Sequence, residues 1–172
     1  MKALKREDLK ELISEQKGIC VSLYMHTHRA GSETQQDPIR LKNLLKEAEE
    51  GLIRAGLRTP EADGLLKPAK DLLLDGLFWK HQSDGLVIFL SQDFFRFYRV
   101  PAEFPDIAVV TGRFHLKPLL SYFSGDGRFY VLALSQNEVR LYDGSRFSLS
   151  GVDLEGMPRS LSDALRYDDP EK

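Results

Sequence analysis

Two closely spaced apolar runs constrain the fold of this chain more than any other feature. The run "LVIFLS" (Leu86 to Ser91) is continuously apolar, which is typical of a buried strand. The run "FFRFYRV" (Phe94 to Val100) alternates, with Arg96 and Tyr98 on one face. Because only Gln92 and Asp93 separate the runs, the spacing predicts a hairpin. The sheet therefore contains at least one antiparallel pair.

Further strand and helix patterns surround this hairpin. The runs "ICVSLYM" (Ile19 to Met25) and "IAVVTG" (Ile107 to Gly112) are typical of two more strands. Apolar residues at helical spacing predict helices from Arg6 to Gln16, from Asp37 and from Thr59. Pro68 lies within the third helical pattern and predicts a kink or two short pieces there.

The C-terminal part of the chain has a different pattern. After Gly125-Asp126-Gly127, the runs "RFYVLALS", "EVRLYDG" and "RFSLSGV" predict a β-meander, and Ser160 with Asp163 predicts the start of a final helix. The fold class is therefore α/β (α+β), with a mixed, partly antiparallel sheet packed with helices and followed by the meander. We assign residues 1–126 to one α/β domain and residues 127–172 to the start of a second, truncated domain.

Composition narrows the class of protein. The 172 residues include 42% apolar residues and carry a net charge of −2, which argues against a strongly basic nucleic-acid binder. The one cysteine, Cys20, lies in an apolar run and is expected to be a small buried hydrophobe in a reducing compartment. The charged N-terminus is not a signal peptide, and no apolar run approaches the about 20 residues of a membrane span. We expect a cytoplasmic protein without a membrane partner.

Two of the four histidines end the first strand as His26-Thr27-His28. Alternate residues of a strand point to the same side, so both imidazoles are candidate ligands for zinc, iron or nickel. A catalytic zinc needs about three protein ligands, and neither His81 nor His115 lies in a ligand-rich motif. The pair therefore predicts either a metal-dependent hydrolase or two partly exposed loop histidines.

A polar segment, "GSETQQDPIR", follows the histidines. It is expected to be a mobile loop that ends at a helix, with Asp37 as the N-cap and Pro38 at the first helical position. Free N–H groups at a helix start favour anions, and Arg29 and Arg40 lie on either side of the segment. The segment therefore predicts either a contact with a nucleic-acid phosphate or an ordinary surface loop.

Motifs for phosphate binding or nucleophilic catalysis are absent from the sequence. None of G-x-G-x-x-G, G-x-x-x-x-G-K-[ST] and G-x-S-x-G occurs. We therefore name no catalytic residue, expect no cofactor, and leave enzymatic activity undecided for this chain.

Several segments together resemble a known family. The runs "VSLYMHTHRAG", "QQDPIRLKNLLKEAEEGL", "FWKHQSDGLVIFLS", "RFHLKPLL" and "FYVLALSQNEVRLYDG" are similar to the bacterial relatives of archaeal and eukaryotic class-one peptide-chain release factors. This resemblance implies a release-factor-like N-terminal domain over residues 1–126. It also implies that residues 127–172 are the start of a ribonuclease-H-like central domain, which is truncated here. The remaining domains of the full-length chain are then an expected partner.

The resemblance also implies where the chain contacts its partner. In the archaeal and eukaryotic factors an Asn-Ile-Lys-Ser motif contacts the stop codon, and Pro38, Ile39, Arg40 and Leu41 are similar in position. The Gly-Gly-Gln motif of peptidyl-tRNA hydrolysis is not in this sequence. The implied function is a non-catalytic module that binds the ribosome or structured RNA. Its expected contact residues are His28, Arg29, Gln35, Gln36, Asp37, Arg40, Lys42 and Lys46.

Two alternatives to this function stay open from the residues themselves. One is the metal-dependent hydrolase that uses His26 and His28. The other is a protein-interaction module without a nucleic-acid role, which the low net charge permits.

Overall fold

A computed structural model describes residues 4–14, 18–124, 129–145 and 149–166. The predicted helix end at Gln16 and the predicted break at residues 125–127 lie outside these ranges. The chain divides into two compact units, residues 1–121 and 122–172. The assignment of residues 1–126 and 127–172 to two release-factor domains stays a prediction.

The described residues up to residue 124 contain five α-helices and four strands. They are α1 (Arg6–Ser14), β1 (Cys20–His26), α2 (Asp37–Arg54), α3 (Thr59–Asp71), α4 (Gly76–Lys80), β2 (Gly85–Ser91), β3 (Phe94–Val100), β4 (Ile107–Thr111) and α5 (Lys117–Ser124), with short 3-10 helices at Ser32–Gln36 and Leu72–Leu74. The second unit contains β5 (Phe129–Leu134), β6 (Val139–Gly144), β7 (Leu149–Val152) and α6 (Leu161–Arg166). No helix within the described ranges is long and apolar enough to cross a membrane.

The first unit is built on a four-stranded sheet with the order β3-β2-β1-β4. The predicted hairpin is confirmed, because β2 and β3 pair antiparallel with Leu90 opposite Phe95 and Ile88 opposite Phe97. β1 also pairs antiparallel with both of its neighbours. The α+β class is confirmed, but the pairing is antiparallel in every described strand pair, where a mixed sheet was expected.

Helices α2 and α3 cover one face of this sheet. The core there contains alternate residues of the strands, together with the apolar stripes of the two helices, including Val21, Leu23, Leu41, Leu45, Leu66, Leu86 and Ile88. Cys20 is 0% exposed, as predicted for a buried hydrophobe, and burial raises the pKa of its thiol. Helix α3 is one element with Pro68 inside it, so of the two predicted alternatives, a kink or two short pieces, the second is wrong. This core holds β1 in place and so positions the residues at its C-terminal end.

Aromatic side chains fill the opposite face of the sheet. Tyr24 and Tyr98 are each at most 2% exposed, and Phe89 makes edge-on contacts with both rings. The Tyr24 hydroxyl donates a hydrogen bond to the carbonyl oxygen of His115, whose N–H donates to Ser22 Oγ. These bonds tie the segment after β4 to the central strand.

The second unit contains a three-stranded antiparallel sheet with the order β5-β6-β7, which confirms the predicted meander. The backbone N–H of Asp163 donates to Ser160 Oγ at 3.2 Å, as expected for the predicted start of α6. Every residue of β5 is exposed, although all six are apolar or aromatic.

Candidate functional site

The end of β1 brings the two predicted histidines together. Between them, Thr27 is buried and donates to two carbonyl oxygens at 3.0 Å: its hydroxyl to Ser83 and its N–H to Asp84. Neighbouring residues of an extended chain point to opposite sides, so His26 and His28 lie on the other side. Their Nε2 atoms are 3.1 Å apart and their ring planes lie at 84°. Two imidazole nitrogens therefore face each other next to the loop.

Asp37, the first residue of α2, holds His28 in place. The Asp37 side chain is 1% exposed, and its two oxygens accept from the backbone N–H (2.9 Å) and the Nδ1 (2.8 Å) of His28. This hydrogen-bond pattern assigns the Nδ1 proton to the bond with Asp37. A neutral His28 then has its lone pair on Nε2.

The prediction that Asp37 is the N-cap of α2 is wrong. The N-cap is Gln36, and it makes no side-chain capping bond. The 3-10 helix Ser32–Gln36 runs directly into α2, so Gln36 already has helical backbone angles. The Asp37 carboxylate therefore bonds back to the preceding segment instead of to the helix start. A carboxylate this buried also lies below the surface that a partner can reach.

The segment expected to be a loop is this short helix, and it brings a third polar group to the histidines. It begins after Gly31, whose φ of 99° favours glycine. Thr34 Oγ1 donates to the Gly31 carbonyl oxygen at 2.8 Å. Glu33 places Oε2 3.3 Å from His28 Nε2, and the Glu33 side chain is 74% exposed.

The two arginines of the predicted site are paired with carboxylates. Arg29 donates to Asp84 in a bidentate contact of 2.7 and 2.6 Å, and this hydrogen bonding raises the pKa of Arg29. Arg40 Nη1 donates to Asp106 Oδ2 at 3.3 Å. Each arginine therefore presents a nearly neutral pair to a phosphate, which weakens its attraction.

The other predicted residues lie on one exposed strip that starts at the 3-10 helix. Gln35, Gln36, Lys42 and Lys46 are all exposed, and Ile39 between them is 52% exposed. Residues 42 and 46 are one turn apart, so both lysines lie on the same side of α2. Neither lysine forms an ion pair with another described residue. This strip, Gln35 to Lys46, is named the basic strip below.

Three acidic partners of the site were missed from the sequence: Glu33, Asp84 and Asp106. The position of Asp84 could have been predicted from the sequence. Asp84 immediately precedes β2, and antiparallel pairing of β1 with β2 places the residue before β2 beside the residues after β1. The positions of Glu33 and Asp106 depend on the unpredicted 3-10 helix and on a loop.

Comparison with known structures defines the class of the fold. The chain is similar to the crystal structure of the archaeal translation termination factor aRF1, with a TM-score of 0.50 and 16% identity over 86% of this chain and 42% of that chain. It is also similar to a structure described as an archaeal protein, with a TM-score of 0.49 and 15% identity over 89% and 45% of the two chains. The chain thus spans less than half of either structure. The fold is release-factor-like.

The family comparison agrees with this class. The bacterial archaeo-eukaryotic release factor family 7 matches residues 129–172. The predicted resemblance to bacterial relatives of archaeal and eukaryotic release factors is therefore confirmed. The family match covers residues 129–172 alone, and a structural similarity at 16% identity shows the fold alone. No curated protein matches the chain.

Proposed function

We propose that the first unit is a non-catalytic module that binds the ribosome or structured RNA within a release-factor-like translation protein, in termination, rescue or a related step. The observation that carries the proposal is the basic strip. Lys42 and Lys46 are exposed, one turn apart and without an ion pair among the described residues, and the amides of Gln35 and Gln36 lie ahead of them. Ammonium groups neutralise phosphates, and amides add hydrogen bonds to sugar and phosphate oxygens.

The same proposal assigns residues 1–126 to the N-terminal domain and residues 127–172 to the start of a ribonuclease-H-like central domain. The family match over residues 129–172 supports the second assignment. The exposed apolar residues of β5 support it too, since they require cover from further polypeptide. The remaining domains of the full-length chain are the partner that we propose for this surface.

The basic strip is short, and its length limits the kind of contact that it makes. Glu47 and Glu50 are exposed directly beyond Lys46, so two exposed carboxylates separate the basic strip from Arg54, the next basic residue of α2. Arg29 and Arg40 border the strip but are already paired with carboxylates. A few phosphate contacts position a protein without reading sequence. The binding is therefore weak, sensitive to salt and indifferent to the bases contacted.

Co-sedimentation with purified bacterial ribosomes over a series of salt concentrations tests this proposal. The 172-residue chain is compared with the double variant Lys42→Gln, Lys46→Gln. We expect the variant to bind more weakly, and the slope of log K against log salt to fall by about two, because each lysine contributes about one phosphate contact. The double variant Lys67→Gln, Lys80→Gln removes two other exposed lysines and should leave the slope unchanged.

Three outcomes count against the proposal. The first is a chain that never sediments with ribosomes at low salt. The second is equal binding by both double variants, which would mean that the basic strip is not the contact surface. The third is binding that does not depend on salt, which would favour the protein-interaction module over an RNA-facing one.

A further inference from the structure

We propose that His26 and His28 bind a divalent transition-metal ion of the zinc type, with Glu33 as a third ligand that closes on the ion. This site is independent of the ribosome-binding proposal, because the basic strip does not include His26 or Glu33. The site lies where β1 ends and the 3-10 helix begins. The bound ion would be Zn²⁺, or another ion of similar size that also prefers nitrogen donors.

Two of the separations between donor atoms fit a single ion. Two ligand atoms that are each about 2.0–2.1 Å from a zinc ion at a tetrahedral angle lie about 3.3 Å apart. The Nε2 atoms of His26 and His28 are 3.1 Å apart, and Glu33 Oε2 is 3.3 Å from His28 Nε2. His28 Nε2 therefore has two further donors at separations close to those of neighbouring ligands.

Asp37 supplies the support that a metal-binding histidine usually has. Such a histidine commonly donates its other ring N–H to a carboxylate, which fixes the tautomer and the ring orientation. His28 Nδ1 lies 2.8 Å from the Asp37 carboxylate, which is 1% exposed. The same carboxylate accepts from the His28 backbone N–H at 2.9 Å. The Asp37 carboxylate therefore orients His28 so that Nε2 faces His26. Because this carboxylate bonds to Nδ1 on the other side of the ring, it is not itself a ligand of the ion.

The meeting of these three atoms suits a cation between them. With its Nδ1 proton bonded to Asp37, a neutral His28 has only a lone pair on Nε2. That lone pair faces the Glu33 carboxylate oxygen and the second imidazole nitrogen at close range. The Nε2–H tautomer of His26 can donate to that lone pair, but the Glu33 oxygen then still faces it without a donor. An ion with several open coordination positions satisfies all three donors at once, whereas a proton on His28 Nε2 must be shared.

Glu33 must move for the site to close. Within the described ranges, no three His, Cys, Asp or Glu side chains already form a group that holds a metal ion. The Glu33 side chain is 74% exposed and stands on a short surface helix, so its rotation meets little resistance. The two histidines provide the fixed part of the site and Glu33 the adjustable part.

Titration of the 172-residue chain with Co²⁺, followed by visible absorption and then by displacement with Zn²⁺, tests the site. We expect one equivalent of Co²⁺ to bind with a spectrum typical of low coordination number, and Zn²⁺ to remove that spectrum. His26→Ala and His28→Ala should each abolish saturable binding. The matched control is His81→Ala, which removes another exposed histidine and should leave binding unchanged.

Two more variants separate ligands from supports and from misfolding. Glu33→Gln alters an exposed side chain, should leave the thermal unfolding of the metal-free chain unchanged, and should weaken Co²⁺ binding and alter its spectrum. Asp37→Asn should retain binding with about 10–100-fold lower affinity, as expected for a residue that only orients a ligand. Absence of saturable binding, or equal loss in His81→Ala, would overturn the site. Unchanged binding by Glu33→Gln would overturn the role of Glu33 as third ligand.

Discussion

The sheets of the two units differ in how well they are covered. In the first unit, every residue of β2 and all but the last residue of β1 are buried. In the second unit, all six residues of β5 are exposed, and its apolar side chains point to both faces of the sheet. A sheet with two apolar faces is stable in water when both faces are covered. The first unit therefore has a complete core, whereas the second exposes surface that is typical of a domain interior.

The largest expected effect separates a core leucine from an exposed one. Leu66 is 0% exposed and Leu134 is 70% exposed. Leu66→Ala should lower the free energy of unfolding by about 2–5 kcal/mol, because it removes buried methyl groups and leaves a cavity. Leu134→Ala should change it by less than about 0.5 kcal/mol. Urea unfolding followed by circular dichroism, which reports the helices and strands of both units, measures both variants. The fluorescence of Trp79, which packs against the core of the first unit, follows the first unit alone. A comparable loss in both variants would contradict the difference between the units.

A pair of glycines gives the next largest effect. A Cβ at Gly85 would lie 2.2 Å from the backbone oxygen of Ala102, whereas one at Gly144 would lie 2.4 Å from the ring of Phe129. The Ala102 backbone oxygen cannot rotate away as a side chain can, whereas the Phe129 side chain is 46% exposed and can do so. Gly85→Ala should therefore cost about 1–3 kcal/mol and Gly144→Ala much less. Circular dichroism during thermal unfolding of both variants checks this, and a larger loss for Gly144→Ala would reverse the comparison.

The smallest effect concerns alkaline pH and a buried phenol of the first unit. Burial, together with the nearby carboxylates Asp8 and Glu11, raises the pKa of Tyr98 to about 12. The unfolded chain ionises this phenol near pH 10, so the stabilising contribution is fully present below about pH 10 and is lost as the pH rises through 12. Tyr98→Phe should remove part of this alkaline loss in stability. It should change little at neutral pH, because the Tyr98 hydroxyl has no hydrogen-bond partner among the described residues. Tyrosinate absorbance and urea unfolding, followed from about one pH unit below the ordinary tyrosine pKa to just above the raised pKa of Tyr98, measure both effects. Ionisation of Tyr98 at about pH 10 would contradict the expected burial.

The strands were predictable because their cause is local. Continuous apolar runs such as Leu86 to Ser91 bury both faces, and the two-residue connection to Phe94 leaves few alternatives to a hairpin. The meander after residue 129 followed from the same reasoning. Continuity of α3 through Pro68 was not predictable, since packing of its apolar stripe outweighs the local cost of the proline.

The two histidines of the candidate site were predictable, but most of its acidic partners and contacts were not. The spacing of His26 and His28 already placed both on one side of a strand. The partners of the arginines lie 55 residues away in Asp84 and 66 residues away in Asp106, and no local pattern pairs them. The role of Asp37 was misjudged because the Asp-Pro signal is the same whether an extended segment or a 3-10 helix precedes it.

The central position of β1 matters during synthesis of the chain. β1 precedes both of its neighbouring strands in the chain, and these begin only at Gly85 and Ile107. At about 5–20 residues per second, an elongating ribosome needs of the order of ten seconds to produce the segment between His26 and β4. During that time β1 is an apolar segment without a partner on either edge. It is therefore exposed to chaperone binding, and to aggregation, before the sheet can close.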